Sequence, residues 1–166
     1  IGHFRNLTPD LFNNITIPQG RGDISKIKFK NKKFYLIDES YNSNPLSLKS
    51  AIENFNLIKV GNNRKHFLMG DMLELGKFSK KLHSNLSNNI NLSSIDKLHI
   101  YGNFVKETYK KIKKIKKGNV LNKWDQINDL IVNELNNNDY LMVKGSNSTG
   151  LNKFILKLKG NKSHAL

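Results

Sequence analysis

The densest run of chemistry-capable side chains is Asp38-Glu39-Ser40-Tyr41-Asn42-Ser43-Asn44-Pro45. An acidic residue at a strand end can accept hydrogen bonds from both hydroxyls of a ribose. Asn42 and Asn44 each donate and accept, which suits a polar ligand held in one orientation. The same residues equally suit a turn and a helix start, with Asn44 as cap and Pro45 opening the first turn. A second run is Gly70-Asp71-Met72-Leu73-Glu74-Leu75-Gly76. Gly70 permits close approach of a ligand or of another backbone. Asp71 and Glu74 can bind a cation or orient a lysine, or stand as a turn and a surface charge. His83 follows, and a lone helical histidine is more often structural than catalytic.

The third run, Lys144-Gly145-Ser146-Asn147-Ser148-Thr149-Gly150, only superficially resembles a phosphate loop. The P-loop places its lysine and hydroxyl at the start of the helix, after GxxxxG. Here the lysine comes first, and no other segment fits, so the usual apparatus of phosphoryl transfer is missing. Backbone amides from Ser146 to Gly150 remain able to hold an anionic group at a helix start. Arg21, in Pro18-Gln19-Gly20-Arg21-Gly22, either reaches a phosphate at a domain interface or is a linker charge. There is no His/Cys metal cluster and no Ser-His-Asp set. The expectation is no catalytic residue and no metal ligand within this chain.

These runs must be positioned by regular elements. Pro9, Pro18, Gly20 and Gly22 mark residues 1–22 as a connection. Two short runs, 26–30 and 34–38, are separated by Asn31-Lys32-Lys33 and read as a hairpin. Strand-like and helix-like segments then alternate. Strands at 34–38, 66–70, 97–101, 119–121 and 140–143 are followed by helices at 45–57, 79–89, 103–116, 123–135 and 149–158. Such alternation implies βαβ crossovers, hence a Rossmann-like α/β fold with a mainly parallel sheet and helices on both faces. Ligands of such sheets bind beyond the carboxyl ends of the strands. The runs Glu39–Asn42, Gly70–Met72, Tyr101–Asn103 and Lys144–Ser146 all sit there.

With 166 residues the chain is one domain long. It lacks cysteine, which excludes disulfides and suits a reducing cytoplasm. No apolar run approaches the roughly 20 residues of a membrane span. The first residue, Ile1, is not methionine, which suggests a preceding part. The formal charge of +15 raises the possibility of a basic nucleic-acid-binding module. Lysine and asparagine are spread along the whole chain, however, so a specific nucleic-acid partner is not expected. The one concentrated run, 106–117, interleaves Tyr109, Ile112 and Ile115 at helical spacing and reads as an amphipathic helix with a solvated basic face.

Taken in order, Gly20-Arg21-Gly22, Ile37 through Pro45, Leu68 through Gly76, His83 and Val143-Lys144-Gly145-Ser146 resemble the C-terminal domain of the Mur ligases. The likeness runs from about Pro18 to the last helix. The tyrosine-asparagine and Gly-Asp-Met-x-Glu-Leu-Gly segments resemble the branch that joins D-alanyl-D-alanine to UDP-N-acetylmuramoyl-tripeptide in peptidoglycan precursor synthesis. Sister Mur-type or folylpolyglutamate-type ligases, which add a single amino acid, share the architecture and are the alternative.

The resemblance implies a cytoplasmic, monomeric, three-domain ligase using ATP and Mg2+ and proceeding through an acyl phosphate. A UDP-binding domain and a central P-loop domain would precede this lid, with residues 1–22 ending the central domain and 23–166 forming the C-terminal one. The lid alone would be inactive. It further implies ATP contacts from Glu39, Arg21, Tyr41, Asn42 and Asn44, and places Lys144, Gly145 and Ser146 near the incoming dipeptide. Four positions depart from the pattern. Glu39 stands where aspartate is usual, Ser43 for alanine, Asn147 for arginine and Asn152 for glutamate.

Overall fold

A computed structural model describes residues 20–160. The elements in chain order are β1 (Asp23–Phe29), β2 (Lys32–Glu39), α1 (Pro45–Leu57), β3 (Lys65–Gly70), α2 (Ser79–Leu92), β4 (Lys97–Tyr101), α3 (Lys106–Lys111), β5 (Lys117–Leu121), α4 (Asp125–Glu134), β6 (Tyr140–Lys144) and α5 (Leu151–Gly160). Six strands form one sheet in the order β1-β2-β6-β3-β4-β5. β1 pairs antiparallel with β2, and every other pairing is parallel. Nearly all of residues 1–22 lies outside the described residues.

Period-two alternation sends the strand side chains to two cores. Ile37, Phe67, Met69, Leu98, Ile100 and Met142 face α1, α2 and α3. Phe34, Leu36, Leu68, Leu141 and Val143 face α4 and α5. β3 is buried along its whole length, as a parallel strand covered on both faces must be. Among the described residues, no helix is long and apolar enough to cross a membrane.

The start of α1 follows from its sequence. The Asn44 side chain accepts from the Ser47 N–H at 2.8 Å, Ser47 Oγ accepts from the Asn44 N–H at 3.1 Å, and Pro45 stands in the first turn. Leu48, Ala51, Ile52 and Phe55 then bury one helical face.

Two expectations need correction. The hairpin turn is Lys30-Asn31, because Lys32 and Lys33 pair with Phe29 and Lys28 in the ladder. The helix expected over 103–116 is α-helical only over Lys106–Lys111, followed by a 3-10 turn over Lys114–Lys116. The chain leaves the helix at Ile112, which adopts an extended conformation and is buried. The Asn91 side chain holds the break, accepting from the Lys113 N–H and donating to the Lys111 carbonyl. Lys116 can then reach the Ser93 and Ile95 carbonyls at 2.8 and 2.6 Å. Ile115 is consequently exposed rather than part of an apolar stripe.

Candidate functional site

The carboxyl ends of β2, β6, β3 and β4 are neighbours, in register through Glu39–Lys144, Lys144–Met69 and Gly70–Tyr101. The loops that leave them form one edge. Gly20-Arg21-Gly22 is laid against that edge through two main-chain bonds, Gly22 N–H to the Asp38 carbonyl (2.7 Å) and Tyr41 N–H to the Gly20 carbonyl (3.2 Å). This places the Arg21 guanidinium 4.7 Å from the centre of the Tyr41 ring, a cation–π contact. A Cβ on Gly22 would sit 3.0 Å from Glu39 Oε1, so the absent side chain leaves the carboxylate its place.

Glu39 is half-buried, and the Lys144 ammonium lies 3.3 Å from its Oε2. Behind them is a cavity of about 300 Å³ with an apolar floor that includes Ile37, Phe55 and Met142; Arg21 and Glu39 stand at its rim. One cation and one anion over an apolar floor suit a ligand with both a flat ring and polar substituents.

Structure therefore brings Arg21, Glu39 and Tyr41 together and adds Lys144 to them. Asn42 is exposed, its side chain accepting from the Ser43 N–H at 2.8 Å. Asn44, also exposed, has its side-chain oxygen engaged in the helix cap.

The second run proves structural. Gly70 accommodates another backbone, since a Cβ there would lie 3.2 Å from the Gly145 Cα. The Asp71 carboxylate accepts the Asn103 and Val105 N–H groups at 2.9 and 2.8 Å, which ties the β4–α3 turn. His83 accepts the Met72 N–H on Nε2, so its Nδ1 carries the proton and donates to the Ser79 carbonyl. Burial lowers the His83 pKa, opposed by the Ser79 carbonyl and the Asp71 charge.

In the third run, the N–H groups of Ser146, Thr149 and Gly150 bond the Asp71, Ser146 and Asn147 carbonyls, so these three amides already have partners. Ser146 Oγ accepts the Leu73 N–H at 2.8 Å and donates to the Ser43 carbonyl at 3.4 Å. One hydroxyl thus staples three loops. Asn147 and Asn152, two positions that depart from the resemblance, touch each other: the Asn152 side-chain Nδ2 donates to the Asn147 side-chain Oδ1.

Sequence reasoning missed the pairings made by charges far apart in the chain. Lys159 lies 2.6 Å from both Asp23 and Asp38 and anchors α5 to the hairpin. Burial alone would lower the Lys159 pKa, but the hydrogen bonds to the two aspartates together raise it. Asp38 also accepts the Ser40 hydroxyl at 2.6 Å, so it belongs to the scaffold, with Glu39 beside it in the site. The alternation of a strand supplies the only local signal: Asp38 and Glu39 must point to opposite faces.

Residues 25–147 match the family described as Mur ligase, glutamate ligase domain. A UDP-N-acetylmuramoyl-tripeptide–D-alanyl-D-alanine ligase of Rickettsia prowazekii is 31% identical over 146 residues, covering 86% of this chain and 30% of that protein. A ligase of the same name from Buchnera aphidicola is 33% identical over 122 residues, covering 72% of this chain and 26% of that protein. The chain thus spans about a third or less of these relatives. The fold is shared with a MurF ligase of Thermotoga maritima solved with ADP, at a TM-score of 0.68 and 20% identity, over 87% of this chain and 31% of that one. A MurF of Acinetobacter baumannii gives the same TM-score at 22% identity, over 87% and 31% of the two chains.

Proposed function

The chain belongs to the Mur ligase family, and we propose that it is the C-terminal lid of an ATP-dependent ligase joining D-alanyl-D-alanine to UDP-N-acetylmuramoyl-tripeptide. In this reading residues 1–22 end a central P-loop domain and 23–166 form the lid. The names of the curated relatives and their greater length support it. The observation that carries the site is the pairing of Arg21 and Glu39 at the lip of the apolar-floored cavity, with Tyr41 stacked against the Arg21 guanidinium.

Glu39 would accept from the ribose hydroxyls, and its half-buried position leaves an oxygen able to do so. Arg21, held by Tyr41, would face the phosphates, and Asn42 and Asn44 would line the same side. The loop of Lys144, Gly145 and Ser146 would border the dipeptide with its main chain, fixed by the Ser146 staple, while the Lys144 side chain turns away from it to Glu39 and Asn42. Mg2+ does not fit the described residues. Among those described, no three His, Cys, Asp or Glu side chains gather, and Asp71 is occupied by main-chain N–H groups. The ion would belong to the central domain. The lid's contribution is to orient the nucleotide and to cover an acyl phosphate that water would otherwise hydrolyse.

The test is phosphate release from ATP by the full-length protein with UDP-N-acetylmuramoyl-tripeptide, comparing D-alanyl-D-alanine with single amino acids. Release with the dipeptide alone is expected. Release with a single amino acid would move the chain to a sister ligase. The 166-residue chain by itself is expected to show no turnover.

A further inference from the structure

Lysine is seldom fully buried unless paired. Lys144 is only 3% exposed. Its ammonium has two partners, the Asn42 carbonyl at 2.9 Å and the Glu39 carboxylate at 3.3 Å. Burial lowers its pKa, and the Glu39 charge and hydrogen bond oppose that.

Another buried lysine shows what is unusual here. Lys65 donates to the Phe55 and Asn56 carbonyls and to Ser94 Oγ, which closes the end of α1; Asp96 acts on it only through its charge and makes no hydrogen bond to the ammonium. Lys144 instead joins a carboxylate to the turn that carries Tyr41 and Asn42. A glutamate at a strand end has three rotatable bonds, and ligand binding would have to freeze them. Here the carboxylate already lies between the space at Gly22 and the Lys144 ammonium.

We propose that Lys144 is a positioning residue for the nucleotide side of the site, holding the Glu39 carboxylate and the Asn42 turn as one preformed unit. It acts through Glu39 and touches neither the reacting atoms nor the dipeptide. This rests on the reading that Glu39 faces the ribose of ATP.

The experiment is steady-state kinetics of the full-length ligase carrying Lys144→Met, which keeps the aliphatic stem and removes the charge. KM for ATP is expected to rise about tenfold, the size of one charge-assisted contact. KM for D-alanyl-D-alanine should stay within about twofold, a split that general loss of structure would not give. In a Glu39→Ala background, Lys144→Met should raise KM for ATP by about threefold at most, because the group it positions is gone. Should Lys144→Met fail to fold, Lys144→Gln, which retains a donor for the Asn42 carbonyl, carries the same comparison. A rise in KM for the dipeptide with that for ATP unchanged would overturn the proposal, as would no change in either. If Glu39→Ala raises KM for ATP while Lys144→Met does not, only this inference fails. If Glu39→Ala is itself silent, the nucleotide reading falls and takes the inference with it.

Discussion

The two edges of the sheet use similar residues for opposite ends. At the amino edge, charge is directed onto main-chain groups. Asp139 accepts the N–H groups of Arg64 and Asn136 at 2.8 Å each, and the Arg64 guanidinium at 3.2 Å. Asp96 accepts the Lys65 N–H at 2.7 Å. Lys32, Lys65, Lys97 and Lys116 all donate to carbonyls. Such groups hold segments together and present little to a ligand. At the carboxyl edge, Arg21, Tyr41 and Asn42 are exposed, and Glu39 keeps a fifth of its side chain accessible. The difference teaches that a net charge of +15 mixes two kinds of cation, since Lys32, Lys65, Lys97, Lys116 and Lys144 donate to the fold's own carbonyls while Arg21 stands exposed at the site.

The sharpest way to break the comparison is Asp139→Ala. It removes a buried carboxylate shared by two part-buried main-chain N–H groups and the Arg64 guanidinium, and is expected to cost about 3 kcal/mol. Urea unfolding followed by the fluorescence of Trp124, the only tryptophan, reads it. A loss below about 1 kcal/mol would show that the amino edge is not the clamp described here.

Next in size is a pH effect from a buried histidine pair beside Asp139. His99 Nδ1 accepts the Asn119 N–H at 3.0 Å, so its Nε2 proton points at His66 Nδ1, also 3.0 Å away. His66 Nε2 in turn lies 3.4 Å from Asp139. Burial, then the positive charges of His66, Lys97 and Arg64, lower the His99 pKa from 6.5 to about 3. His66 is lowered by burial and by Arg64, against the pull of Asp139 and Asp96. Below pH 6.5 the unfolded chain takes up protons that the folded one refuses. Stability is therefore full above pH 6.5 and falls towards pH 3, by about 1.4 kcal/mol per pH unit for His99, with His66 adding in the same direction. Between pH 6.5 and 5, where carboxylates stay ionised, unfolding midpoints should drop, and His99→Gln should flatten the slope. A flat profile in the parent chain would contradict the geometry.

The smallest effect sharpens the carboxyl edge. Ser43 Oγ is buried without a hydrogen-bond partner, at a position where the family resemblance has alanine. Ser43→Ala should stabilise the chain by about 1 kcal/mol and leave turnover unaltered. A destabilisation would mean that the hydroxyl has a partner in solution.

Much of the scaffold was legible because it is local. The N-cap of α1, the limits of β4 and the alternation of strand and helix follow from neighbouring residues. The position of β6 between β2 and β3 was not, since parallel strands pair without regard to sequence order. That insertion sets Lys144 beside Glu39, 105 residues apart, and so the ion pair was hidden with it. α3 was overestimated because a lysine-isoleucine pattern fits a helix equally well when Ile112 is drawn into the core and Ile115 left outside. For Asp38 and Glu39, composition named two acids, and only the strand's alternation, with Lys159 on one face and Lys144 on the other, assigned one to the scaffold and one to the site.

The most direct test sets Glu39→Ala beside Asp139→Ala in the full-length protein, measuring KM for ATP in the proposed ligation and the unfolding midpoint of each. Glu39→Ala should raise KM for ATP about tenfold or more with a stability change under about 1 kcal/mol, and Asp139→Ala should lower stability with KM for ATP little altered in the folded fraction. An unchanged KM for ATP in a fully stable Glu39→Ala enzyme would contradict the account, because the carboxyl edge would then be as purely structural as the amino one.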